Sequence, residues 1–248
     1  MNNLPWARCF KDPAHPELPA QIRLRQVDRK TFELESSLRY VGPTGVPSLP
    51  KAARTLHPED LGPDRRTDLA SVPAPLRWLV GTYGVHTPAA LLHDRLIGPT
   101  RMPGVSATEA DRFFRFMLRQ LGVRWLRRWR MWSAVAFGTR WRAGGVRRAT
   151  LVLWVVLAAV GMTSFVAGAA AGSWVVTLAA ALAPLLAGGL WGRQYGAALI
   201  AALTAIWVLP PTVLGAVGYG IYAGLEGLLA VVLPRSVHGD EPVRYQHF

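Results

Sequence analysis

Between residues 149 and 233 the chain carries only two formal charges, Arg193 and Glu226. A helix of a water-soluble domain keeps one polar face, whereas a segment in hydrocarbon has no water to hold a charge. The block is therefore read as membrane-spanning, and the rest of the chain is arranged around it. A crossing helix needs about 20 apolar residues, so the small polar breaks divide the block into four crossings, 151–171, 174–191, 197–213 and 214–233. Pro210-Pro211 separates the last two; the same prolines could instead kink one long stretch or form a re-entrant turn.

Arginine sets the orientation. Arg140, Arg142, Arg147 and Arg148 precede the block, Arg193 lies between the second and third crossings, and Arg235 and Arg244 follow the last. Cytoplasmic loops carry the excess of basic residues, so an even number of crossings keeps all of these inside. The expectation is a multi-pass protein of the cell (inner) membrane with both termini in the cytoplasm. Cys9 is the single cysteine, which excludes an intrachain disulfide and fits a reducing compartment. The first residues lack the apolar core of a signal peptide, so insertion falls to the later spans.

The formal net charge is +13, and its main source is the stretch 112–148, which has eleven arginines and no acidic residue. Phe113, Phe114, Phe116 and Phe137 interleave with them, as do Trp125, Trp129, Trp132 and Trp141. Basic runs bind nucleic acid or anionic lipid; this one abuts a hydrophobic span, which favours the lipid bilayer as partner. The apolar residues of 113–121 read as ordinary core. Trp125, Trp129, Trp132 and Trp141 are expected at the headgroup level, where indoles prefer to sit. The sequence names no protein partner.

The chemically suggestive residues lie upstream, in TDLASVP (67–73), AALLHD (89–94) and ADRFF (110–114). Thr87-Pro88 starts a helix and Gly98-Pro99 stops it. Ala89, Leu92 and Leu96 share one face of that helix, with His93 and Asp94 about 100° apart on its rim. Ser106-Ala-Thr-Glu109 is a capping box that opens a second helix, with Asp111 one turn in. If a short connection packs the two helices antiparallel, Asp111 comes level with His93, giving an imidazole oriented by a carboxylate.

Upstream again, 21–41 reads as a β-hairpin, because Ile22 and Leu24, then Phe32 and Leu34, alternate with polar residues around Asp28. Residues 1–20 read as irregular, with Trp6 and Phe10 tucked against the domain. Residues 42–64 read as a long loop with His57 and Glu59 as its ligand-like members. A short apolar helix over 74–80, with Trp78, is expected to wall the His93 helix.

The three motifs in this order resemble a family of uncharacterised domains of phages and bacteria, over roughly residues 22–138. The same residues are more loosely similar to the bacterial and fungal type of secretory phospholipase A2. That resemblance implies a calcium-dependent lipid ester hydrolase: His93 activates water, Asp111 orients it, and Asp94 holds calcium with Asp68 and the Leu69 carbonyl. The chain departs from that family in having no cysteine near either helix and Ile97 where a tyrosine usually stands. The alternative is a non-catalytic, phage-derived membrane or assembly protein in which Asp68, before its Ser-x-Pro turn, caps a helix and His93-Asp94 hydrogen-bonds a loop.

The expected fold class is α+β: a small, mostly helical domain with a β-hairpin over 1–148, about four transmembrane helices over 149–234, and a polar tail over 235–248.

Overall fold

The computed structural model describes residues 4–28, 31–43, 45–46, 49–67, 84–98 and 102–232. Among them are six short strands followed by six α-helices: β1 (Phe10–Lys11), β2 (Leu24–Gln26), β3 (Phe32–Leu34), β4 (Leu38–Tyr40), β5 (Thr55–Leu56), β6 (Arg66–Thr67), then α1 (Thr87–Ile97), α2 (Ala107–Gln120), α3 (Trp125–Ala143), α4 (Gly145–Ala170), α5 (Trp174–Ala187) and α6 (Tyr195–Val232). The chain divides into two compact units, residues 1–206 and 207–248.

In the first unit the expected hairpin is present. β2 pairs antiparallel with β3, Leu24 opposite Leu34 and Gln26 opposite Phe32. Its turn is closed by the Val27 amide donating to the Thr31 carbonyl at 3.0 Å and by the Thr31 amide donating to Asp28 Oδ1 at 2.9 Å. Three two-residue stretches without a strand signal also pair. β6 lies on the far side of β3, and β4 takes β1 on one edge and β5 on the other, giving the sheets β2-β3-β6 and β1-β4-β5. Strands of two residues are too short to show a period of two, so only their partners reveal them.

Both sheets face the first two helices. Phe10, Leu34, Leu38, Tyr40 and Leu56 share a core with Leu91, Leu92 and Leu96 of α1 and with Phe113, Met117 and Leu118 of α2. Tyr40 is the hinge of this packing, its ring 5.2 Å from Phe10 and edge-on to Phe113 at 5.4 Å. α2 starts at the expected capping box: Ser106 Oγ accepts the Glu109 amide at 3.2 Å, and Glu109 Oε2 accepts the Ser106 amide at 3.0 Å.

A second core joins α3 to the apolar helices. Trp132 and Ala136 of α3 pack with Leu151 and Trp154 of α4, with Trp191, and with Ala197, Ala198 and Ala202 of α6. α4 and α5 run antiparallel at close range. A Cβ placed on Gly161 would lie 2.9 Å from the Ala180 carbonyl oxygen, and one on Gly168 would lie 2.9 Å from the Thr177 amide. Glycine at these positions lets the two helix backbones approach closely.

Two apolar segments of the described chain are long enough to cross a membrane, Gly145–Ala170 and Trp174–Ala205, where about four crossings were expected. The expected break near Trp191 is a 3₁₀ turn, Gly188–Gln194, in which Gly192 leaves helical conformation and kinks the chain between α5 and α6. Nor do Pro210 and Pro211 end α6, whose helical turns continue to Val232. A proline removes one amide donor without obliging an apolar helix to stop. In the second unit Leu214, Tyr219, Ile221, Tyr222 and Leu228 of this helix are exposed.

Candidate functional site

α1 and α2 bring the expected pair together. His93 Nε2 and Asp111 Oδ1 are 2.9 Å apart, with His93 4 % and Asp111 0 % exposed. The imidazole also leans on the Phe114 ring at 5.2 Å. Asp111 Oδ2 accepts two more hydrogen bonds, from Thr139 Oγ1 and Gln194 Nε2, both at 2.7 Å. Three donors from three different elements therefore converge on one carboxylate. A carboxylate offers only acceptors, so the hydrogen of this contact sits on His93 Nε2.

Behind Asp111 lies a buried cation. Arg140 Nη1 donates to Gln194 Oε1 at 3.0 Å and to the Trp191 carbonyl at 3.2 Å. Nη2 donates to Thr150 Oγ1 at 3.1 Å and to the Leu190 carbonyl at 3.3 Å. The guanidinium also stacks over Trp191, 4.9 Å from the ring centre. Burial pushes Arg140 below the ordinary arginine value and Arg147 adds to this, while Asp111 opposes it. Gln194 thus stands between Asp111 and Arg140, its amide nitrogen toward the carboxylate and its oxygen toward the guanidinium.

Local sequence explains this convergence. Thr139 and Arg140 are neighbours on α3, and Thr139 Oγ1 also lies 3.2 Å from the Val135 carbonyl and 3.1 Å from the Ala136 carbonyl, as a hydroxyl in a helix often does. Gln194 closes the 3₁₀ turn after Gly192, whose φ of 54° and ψ of −121° suit glycine alone. These three residues escaped the sequence reading because they lie 28 to 83 positions from Asp111. One signal was present: Gln194 is the only side-chain amide between residues 149 and 233.

The metal residues fare differently. Asp94 Oδ2 accepts from Thr67 Oγ1 at 2.9 Å, which ties α1 to the end of β6. Asp68 and Leu69 lie outside the described residues, as does the expected 74–80 helix with Trp78. Among the described residues no group of three or more His, Cys, Asp or Glu could hold a metal ion. Calcium takes roughly six to eight oxygens, and Asp94 is the only expected ligand among the described residues. His57 Nδ1 lies 3.0 Å from Ser37 Oγ, and Glu59 pairs with Arg65 at 3.4 Å on the surface.

The four tryptophans expected at the headgroups separate. Trp125 and Trp141 are exposed, at 61 % and 50 %. Trp132 is buried in the second core, and Trp129 packs half-buried against it.

A protein-family model described as "Protein of unknown function (DUF1353)" matches residues 64–135. That range holds all three motifs and is narrower than the expected 22–138. No curated protein and no solved structure matches the chain.

Proposed function

We propose that this chain is a membrane-anchored hydrolase of carboxylic esters at a lipid surface, with His93 as general base and Asp111 as its positioning residue. The observation that carries this is the pair of oxygens on Asp111: one holds His93 Nε2 at 2.9 Å, and the other is fixed by Thr139 and Gln194. A carboxylate pinned on both sides cannot rotate, so the imidazole it holds keeps one tautomer and one orientation. Nδ1 then takes a proton from water while the hydroxide attacks the ester carbonyl; the same proton passes to the departing alkoxide, leaving acid, alcohol and neutral His93. The order of the TDLASVP, HD and AD motifs supports the same reading, as does the apolar character of Gly145–Ala170 and Trp174–Ala205. A multi-pass topology with cytoplasmic termini belongs to this proposal, on the arginine excess before α4.

The experiment uses full-length protein in mixed micelles of detergent and phospholipid, with release of fatty acid as the readout, in calcium and in chelator. Wild type should release fatty acid, and His93→Gln should lose about 10²–10⁴-fold in rate while melting near the wild-type temperature. Asp94→Asn should shift the calcium requirement if that carboxylate binds the ion. A second reading, that the His93–Asp111 pair is a structural seam between the sheet domain and the apolar helices, is favoured by the burial of both residues. It prevails if wild type releases nothing in either condition and His93→Gln merely lowers the melting temperature.

A further inference from the structure

Arg115 projects from α2 into a corner made by two tryptophans of α3. Its guanidinium carbon lies 4.7 Å from the centre of the Trp129 ring and 4.3 Å from that of Trp132, and the two rings stand at 80° to one another. Both faces of contact are thus π-surfaces, which attract the cation but accept none of its N–H groups in a conventional hydrogen bond. Among the described residues Arg115 has no carboxylate or carbonyl partner. Arg112 lies one helical turn away on the same helix, and Arg128 comes from α3. Burial pushes Arg115 below the ordinary arginine value, and Arg112 and Arg128 push it further. Arg115 is therefore acted on by two other guanidiniums and by no acidic group, which is unfavourable for the protein alone.

A second observation points the same way. The indole N–H of Trp132 is buried and has no acceptor. A buried donor without a partner costs about 1–3 kcal/mol, and an acceptor drawn into the Arg115 corner would relieve that cost. A third observation places the cluster. A Cβ on Gly196 would lie 3.5 Å from both Trp129 and Trp132, and Gly196 belongs to the apolar segment Trp174–Ala205. The Arg115 corner therefore sits against the flank of a candidate membrane span.

We propose that Arg112, Arg115 and Arg128, in the corner of Trp129 and Trp132, bind the phosphate of an anionic lipid headgroup. The guanidinium fork matches two phosphate oxygens at once, and the group stays in its indole corner while its free N–H groups engage the anion. The position beside Gly196 selects lipid over free phosphate, because the acyl chains then lie along the apolar segment. The inference rests on the membrane placement proposed above and not on hydrolysis.

The test uses full-length protein in nanodiscs of phosphatidylcholine containing a spin-labelled phosphatidic acid, with quenching of tryptophan fluorescence as readout. The probe should bind well above its mole fraction. The double variant Arg112→Gln/Arg128→Gln, at positions outside both cores, should weaken retention about 30-fold, at about fivefold for each basic residue near an anionic headgroup. Arg115→Lys should also weaken it, because an ammonium keeps the charge but loses the fork. Wild-type quenching no greater than with spin-labelled phosphatidylcholine overturns the proposal. So does equal displacement of the probe by inorganic phosphate, which would make the site one for the free anion. Extraction of the membranes with alkaline carbonate, run in parallel, separates failure of this site from failure of the membrane placement.

Discussion

Asp111→Asn tests the buried network at its centre. The change keeps shape and volume but replaces one acceptor oxygen by an NH₂ donor and removes the charge. Three donors converge on the carboxylate in the wild type, from His93, Thr139 and Gln194. An asparagine satisfies them only by turning its NH₂ toward His93, whose ring can move its hydrogen from Nε2 to Nδ1 and accept. The opposite orientation sets NH₂ against the NH₂ of Gln194, a donor-donor clash in a fully buried place. Each hydrogen bond to a charged group contributes about 1.5–3 kcal/mol, and its neutral replacement about half of that. Summed over three bonds, and with Arg140 keeping its charge without the distant anion, the loss is of the order of 3 kcal/mol. For a domain of this size that lowers the melting temperature by about 6–12 °C. Circular dichroism melts in detergent measure the drop, and ¹⁵N spectra of histidine-labelled protein read the tautomer. The expected result is both a lower melt and a His93 spectrum changed from Nε2-H to Nδ1-H. A melt within about 1 °C of wild type, with the tautomer unchanged, would refute the network as described.

Three further outcomes follow from the packing. Gly161→Leu should separate α4 from α5, because its Cβ would lie 2.9 Å from the Ala180 carbonyl oxygen; the readout is faster proteolysis of detergent-solubilised protein, with unchanged cleavage as the contrary result. Ser106→Ala removes a hydroxyl that donates to the Glu109 carboxylate and accepts the Glu109 amide, and should cost about 1 kcal/mol, measured as the shift of the denaturation midpoint. Cys9 is buried and its thiol is pushed above the ordinary value by that burial, with Arg8 opposing. The folded protein should therefore alkylate slowly. Its stability should hold at neutral pH and decline as pH rises past about 8.5, where the unfolded thiol ionises first. Rapid alkylation of native protein would contradict this.

Features that depend on neighbours within one or two helical turns were legible in the sequence. The capping box at Ser106 and Glu109 and the buried Ala89, Leu92 and Leu96 face needed only a period of 3.6 and a known cap. The hairpin of β2 and β3 needed only alternation on both sides of a turn. His93 and Asp111 are 18 positions apart, yet their approach follows from two helices and one short connection.

What the sequence alone determined is therefore local: helix faces, caps, one hairpin, and an apolar block with the arginines before it. Tertiary structure decided everything that joins distant positions. It paired two-residue strands that carry no periodic signal, and it carried helix through Pro210-Pro211 where composition marked a break. It also took Trp132 into a core and set Thr139, Gln194 and Arg140 around Asp111. Composition records how much apolar surface a segment has, but not which surface it meets, and a hydrogen bond across 83 positions leaves no pattern in the residues between.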